Sequence, residues 1–358
     1  MLKIGFLTSG GDCQALNGAM RGTVKALYEN CDDKIQIYGI QNGYTGLING
    51  DYKKMGLKDF ENILNLGGTI LGTSRQPFKK INIPDEKGRN KVKCMIENYR
   101  NMQLDCLVVL GGNGSHKTAN LLSESGLNVV TLPKTIDNDI NGTEISFGFQ
   151  SAIDIATRNL DEIHSTAASH GRTFIVELMG HKTGWLTLHA GLAGNADIIL
   201  IPEIPYDINK IKKVINKKTE EGKKYIIIAA AEGIISKEES KLSKKELKAK
   251  RKSEGYISAG YRLEAELNNV INREVRVTVP GHVQRGGNPC AYDRVLTSRL
   301  GAKAAELILN KEYGRMVSVV NNQITSIPLS QAVEKTKMVE TDDEIIKQAK
   351  MLGICLGN

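Results

Sequence analysis

No stretch of the 358-residue chain holds 18 consecutive apolar residues, so no segment is apolar enough to span a membrane as a helix. The opening Met1-Leu2-Lys3-Ile4-Gly5-Phe6-Leu7 lacks the basic start, long apolar stretch and small-residue cleavage site of a signal peptide. It reads instead as a first strand. The six cysteines (Cys13, Cys31, Cys94, Cys106, Cys290 and Cys355) are scattered without metal-like spacing. That usage predicts reduced thiols in a cytoplasmic protein, with neither a disulfide framework nor a thiolate metal centre. There is no internal repeat of solenoid period and no Pro- or Ser-rich linker.

The composition is that of a globular chain, 41% apolar and 25% charged, which argues against disorder. At about 150 residues per domain the length suggests two domains. Such a chain buries enough surface to need no covalent staple. The net charge of +8 invites a nucleic-acid partner, but half of it sits in residues 236–254, where eight Lys/Arg mix with four Glu. No aromatic side chain interleaves there, so the segment reads as a solvated helical face and nucleic-acid binding is not expected. Glycine is plentiful, at 36 residues, and much of it follows apolar runs, as in loops that let a backbone approach a ligand.

Short β-branched runs alternate with helix-length stretches. Strands are expected at Ile4–Thr8, Ile35–Ile40, Cys106–Leu110, Val129–Leu132, Phe174–Leu178, Ile198–Ile201, Ile226–Ala231 and Val275–Val279. Helices are expected at Leu16–Tyr28, Ser115–Glu124, Ser151–His164 and Asp293–Leu309. Continuous apolar runs such as Cys106-Leu107-Val108-Val109-Leu110 suit strands covered on both faces. The alternation predicts parallel sheets between helices, with chemistry beyond the carboxyl ends of the strands.

The first strand runs into Gly10-Gly11-Asp12-Cys13, and the third into Gly111-Gly112-Asn113-Gly114-Ser115. Paired glycines before a helix start bring N–H groups and a positive dipole end toward an anion. A single such turn is equally well a plain tight turn, and the first lacks both the Gly-Lys-Ser/Thr and the Gly-x-Gly-x-x-Gly patterns. Two together point to a phosphorylated ligand, with Ser115 expected to cap the second helix. After the next strand comes Pro133-Lys134-Thr135-Ile136-Asp137-Asn138-Asp139. In extended backbone the two aspartates project to one side, as a general base beside a cation, or as a turn cluster. Further on, Arg276, His282 and Arg285 fall within ten residues beside glycines. That trio suits a phosphate dianion. Ser169-His170-Gly171-Arg172 and Met179-Gly180-His181 flank another strand in the same style.

Taken in order, GGDCQALN, GTSRQPF, GGNGSHKTA, PKTIDND, SHGR, MGH, the Glu of AAEG, and PGHVQRGG resemble the 6-phosphofructokinase family over roughly residues 1–330. The resemblance implies two Rossmann-like three-layer α/β/α domains with mainly parallel sheets and the active site in the interdomain cleft. A donor-binding domain would take residues 1–148 and 284–333, and a fructose 6-phosphate domain 149–283 and 334–358. The activity implied is glycolytic phosphoryl transfer from ATP to O1 of fructose 6-phosphate with Mg²⁺. Asp137 would be the base, Arg75 would stabilise the transferring phosphate, Thr135 and Ile136 would line the sugar, and Asp139 would position loop, metal or acceptor. Gly11, Gln76, Gly112, Asn113, Gly114 and Ser115 would hold the donor. Met179, Gly180, His181 and Glu232 would surround the sugar hydroxyls. Arg276, His282, Val283, Gln284 and Arg285 would complete the 6-phosphate site. Arg172, with Arg276, would complete a neighbour's site in a homotetramer.

Three departures qualify that likeness. Asn113 stands where many members carry an aspartate associated with Mg²⁺, and His181 where arginine is commoner. Gly114 leaves room for the α-phosphate and ribose of ATP, whereas Lys134 is typical of pyrophosphate users. Steric access favours ATP. Pyrophosphate as donor, and a catalytically silent ligand-sensing homologue, are the rival readings. Arg21, Lys25, Lys54, Lys223 and Asp197 match part of an ADP or phosphoenolpyruvate effector set, with His164 replacing an arginine.

Overall fold

The computed structural model describes residues 1–32 and 34–358. The chain divides into two compact units, residues 1–151 with 285–337, and residues 152–284 with 338–358. Both are discontinuous, and each is a Rossmann-like α/β layer structure.

Eleven strands occur among the described residues: β1 Leu2–Thr8, β2 Ile35–Ile40, β3 Tyr52–Met55, β4 Cys106–Gly111, β5 Val129–Pro133, β6 Thr173–Leu178, β7 Ile198–Leu200, β8 Ile226–Ala231, β9 Val275–Thr278, β10 Arg315–Val320 and β11 Gln323–Pro328. In the first unit they form one sheet in the order β11-β10-β5-β4-β1-β2-β3. Its interior pairs are parallel, and the edge strands β3 and β11 run antiparallel to their neighbours. The chain leaves β1 in one direction to β2 and later returns on its other side as β4. The carboxyl ends of β1 and β4 therefore diverge into a crevice, the usual ligand position of such sheets.

The second unit holds the all-parallel sheet β7-β8-β6-β9. Alternate residues of these strands serve two separate cores. Phe174, Val176, Leu178, Ile227 and Ala229 pack on one face, and Ile175, Ile226, Ile228 and Ala230 on the other. That period of two, on strands apolar throughout, is what helices on both faces require.

The strands not foreseen are β3, β10 and β11. β3 is short and mostly exposed. β10 and β11 form a hairpin whose turn residues Asn321 and Asn322 both take positive φ. Asparagine tolerates that conformation, and a two-residue turn built this way matches the twist of paired strands. Of the charged segment 236–254, Lys244–Glu254 becomes a helix with a Ser243/Glu246 capping box and no buried residue; before it, Ser236 and Glu239 are buried, which corrects the expectation of a single solvated helical face. No helix among the described residues is long and apolar enough to cross a membrane.

Candidate functional site

In the first unit, three adjacent strands, β1, β4 and β5, deliver their loops to one edge. Beyond β1 the backbone turns at Gly10, with φ 84°. The segment around Ser74 is laced to this turn: Gly10 N–H donates to the Ser74 carbonyl at 3.0 Å, and the Thr73 hydroxyl to the Gly10 carbonyl at 2.7 Å. Arg75, exposed, and Gln76 are thereby carried to the glycine turn. The Arg285 guanidinium lies against Gly11 and donates to the Asp12 carbonyl at 2.9 Å. A Cβ at Gly11 would stand 2.9 Å from that guanidinium.

Beyond β4 the helix Asn113–Glu124 begins, with Gly112 as its N-cap. Ser115 is thus inside the first turn and does not cap the helix, contrary to the expectation. Gly112 supplies no side-chain cap to this helix; its carbonyl accepts from Ser115 N–H at 2.9 Å and from His116 N–H at 3.0 Å. A Cβ at Gly111 would fall 2.2 Å from that of Ser115, so packing demands glycine there. At Gly114 the opposite holds. A Cβ would meet nothing within 4 Å, and no positive φ requires glycine. The protein's own packing does not demand glycine at 114, which stands exposed.

His116, in the same first turn, is completely buried. Burial, then the Lys134 cation, pull its pKa down to about 3. An unfolded histidine takes a proton near pH 6.5, and the folded chain does not, so stability falls as pH drops from about 6.5 toward 3. His116→Asn is expected to flatten this acid limb, read as urea midpoints between about pH 7 and 4. A variant whose midpoints track the parent's throughout would assign the acid loss to other groups.

Beyond β5, Lys134 is 3% exposed, and its Nζ donates to the Gly11 carbonyl. Burial lowers its pKa. The following Asp137-Asn138-Asp139 is not extended, because Asn138 has φ 50°. The extended backbone expected for the two aspartates is therefore corrected. Asn138 pins the loop instead: its Oδ1 accepts from Ser146 N–H at 2.9 Å and its Nδ2 donates to the Glu144 carbonyl at 3.1 Å. Asp137 N–H donates to the Thr135 hydroxyl at 3.0 Å. The Asn113 amide donates to an Asp139 carboxylate oxygen at 2.7 Å and to the Asp139 carbonyl at 3.1 Å. Asn113 thus orients a carboxylate where an aspartate would repel it. Burial pushes the nearby Cys13 thiol up to about 12, so it is no nucleophile at neutral pH.

The same unit holds a cavity of about 480 Å³ lined by Thr45, Gln76, Lys80, Arg89 and Lys91 among others. Its basic side chains come from the irregular stretch after Gln76, which has no periodicity to mark it. Arg89 is partly neutralised by Asp85 at 2.7 Å.

In the second unit the loops after β6, β8 and β9 meet. Gly180 (φ 141°) and His181 (φ 55°) follow β6. The Glu232 carboxylate accepts from His181 N–H at 2.7 Å. The Gln284 carbonyl oxygen accepts from Met179 N–H at 3.2 Å, and its amide donates to the Gly281 carbonyl at 3.0 Å. Fully buried Gln284 therefore ties two loops together, while His282 and Val283 stand exposed. A cavity of about 230 Å³ borders Glu232, with Arg251 and Arg262 in its wall. Both arginines are anchored on buried Glu239.

Arg172 and Arg276 lie elsewhere in this unit. Arg172 immediately precedes β6, and Arg276 pairs in register with Phe174 near its start. The length of β6 separates Arg172 from the Met179–His181 loop by roughly 20 Å, at ~3.3 Å per residue. Of the effector set, Asp197 is buried and bonded to Lys223, to Lys218 at 3.2 Å and to Ile227 N–H at 3.1 Å. His164 contacts the Gly194 carbonyl at 2.8 Å and the Tyr225 hydroxyl at 3.2 Å.

A family model described as Phosphofructokinase matches residues 3–308. A relative from Spirochaeta thermophila, named ATP-dependent 6-phosphofructokinase, is 50% identical over 99% of this chain and 97% of its own. One from Bacteroides thetaiotaomicron, named ATP-dependent 6-phosphofructokinase 3, is 42% identical over 99% of this chain and 100% of its own. Among solved structures, phosphofructokinase from Saccharomyces cerevisiae is 29% identical with a TM-score of 0.79; the alignment covers 93% of this chain and 45% of that longer one. A pyrophosphate-dependent phosphofructokinase from Nitrosospira multiformis shares the fold, with a TM-score of 0.81 at 19% identity, over 99% of this chain and 88% of that one.

Proposed function

The chain belongs to the phosphofructokinase family, and on that premise we propose that it transfers the γ-phosphoryl group of ATP to O1 of fructose 6-phosphate. The observation that carries this reading is the edge formed by β1, β4 and β5. There, two glycine turns, the start of the Asn113 helix and the pinned Asp137 loop all converge. In this family's reaction the protein supplies positioning and charge rather than covalent chemistry.

Asp137 removes the O1 proton, and Thr135 and Ile136 flank the sugar beside it. Arg75, carried to the Gly10 turn by Ser74, faces the developing charge of the transferring group. Gly11, Gly112, Asn113, Gly114, Ser115 and Gln76 hold the donor, whose larger part fits the basic cavity at Lys80 and Lys91. In the second unit, Met179, Gly180, His181 and Glu232 contact the sugar hydroxyls. Glu232 and Gln284 accept hydrogen bonds from the N–H groups of that loop and position it. His282, Val283 and Gln284, with Arg285, serve the 6-phosphate.

The donor choice follows from two positions. Gly114 has open space that no packing demand explains. The Lys134 charge is turned onto the Gly11 carbonyl, which weakens its claim as a pyrophosphate ligand. Relatives with full coverage are named for ATP. The cation fits as Mg²⁺: the carboxylate of Asp139, oriented by Asn113, is a hard oxygen donor of the type this ion takes alongside substrate phosphates. Among the described residues no cluster of three His, Cys, Asp or Glu could hold a metal unaided. Bound there, Mg²⁺ would neutralise charge on the phosphate oxygens.

Arg172 and Arg276, at the amino edge of the sheet, serve the 6-phosphate site of a second copy, so the active form is an oligomer, in our reading a homotetramer. A reducing cytoplasm suits the six free thiols. The deciding experiment is a coupled assay on fructose 6-phosphate with ATP or pyrophosphate in turn. Turnover is expected with ATP. Turnover with pyrophosphate alone would overturn the donor assignment, and none with either would leave a silent homologue.

A further inference from the structure

Glu274 immediately precedes β9, and its carbonyl accepts from Thr173 N–H at 3.0 Å. The β6–β9 register pairs Thr173 with Val275 and Phe174 with Arg276. Extending it by one residue sets Arg172 opposite Glu274, while Glu274 and Arg276, two apart on one strand, share a face. The side chains follow this geometry. Arg172 Nε donates to one carboxylate oxygen of Glu274, and Arg276 Nη2 donates to the other. The bond from Arg172, with the charge of both arginines, holds the Glu274 carboxyl below its ordinary range.

Each oxygen of one carboxylate therefore engages one guanidinium. Two such cations on one face repel each other unless an anion lies between them. A phosphate group bound by the same two forks would need donors that Glu274 occupies. We propose that Glu274 is a surrogate anion for the 6-phosphate: it holds both guanidinia on a common point and yields them when a sugar-phosphate dianion arrives. This rests on the assignment of Arg172 and Arg276 to phosphate recognition. The three side chains are 27%, 42% and 51% exposed for Arg172, Glu274 and Arg276, so water and salt weaken the ion pairs and the exchange is cheap. A phosphate dianion offers a second charge and more acceptor oxygens than a carboxylate. A singly charged anion has no such advantage, and the exchange therefore selects for a phosphate.

Glu274→Gln removes the competitor while keeping the shape. It is expected to lower KM for fructose 6-phosphate by about two- to fivefold, the range that an exposed ion pair allows, with kcat held and thermal stability near the parent's. Glu274→Asp, which keeps the charge, should return KM toward the parent value. A raised or unchanged KM in Glu274→Gln would overturn the exchange; a raised one would make Glu274 an organiser of the arginines alone. Arg172→Ala and Arg276→Ala, measured in parallel, should raise KM. If both leave it unchanged, the phosphate assignment itself fails and the Glu274 proposal falls with it, a result distinguishable from failure at Glu274 alone.

Discussion

Asp137→Asn should reduce kcat by about 10²–10⁴, the usual contribution of a positioned general base, while KM for fructose 6-phosphate changes little. The substitution is nearly isosteric. The loop is held by neighbours of Asp137: Asn138 binds Ser146 and Glu144, and Ser146 donates to the Thr135 carbonyl at 2.9 Å. The asparagine variant should therefore fold, bind sugar phosphate and fail at proton removal. Substrate affinity would be followed by protection against thermal unfolding, and kcat by the coupled assay. A variant as fast as its parent would remove Asp137 from the chemistry. One that no longer binds sugar phosphate would make it a structural residue of the loop.

Gly114→Asp should cut kcat/KM for ATP by about 10² or more, because a fixed carboxylate facing phosphates costs several kcal/mol. Its value as a test comes from the empty space at that position. The side chain enters no packed region, so the melting temperature should stay close to the parent's, and a loss of ATP use cannot be ascribed to misfolding. If ATP turnover persists at the parent rate, Gly114 does not face the nucleotide and the steric argument for the donor fails.

The glycine turns and the Lys134–Asp139 segment were legible in the sequence because each follows a strand buried on both faces, and such strands are continuous apolar runs. What those side chains touch was not legible. The contact of Lys134 with Gly11 depends on β5, β4 and β1 lying side by side, and the bond of Asn113 to Asp139 depends on β4 and β5 ending together. Arg276 and His282 are close in number, yet Arg276 belongs to β9, in register with the start of β6, whereas His282 follows the strand. The basic cavity rests on residues such as Lys80 and Lys91 in and around irregular backbone, where no hydrophobic period announces a site. The Asn321-Asn322 turn carried a readable signal that the strand pattern alone does not use.

The second unit is closed by its last segment. Val339, Ile346 and Leu356 complete one of its cores, and Cys355 adds a parallel bridge to Ile198. On the ribosome, the unit that begins at residue 152 thus stays open-sided until residues 338–358 have been made. A nascent chain of this kind exposes apolar surface during translation, where association with other chains and chaperone capture compete with folding.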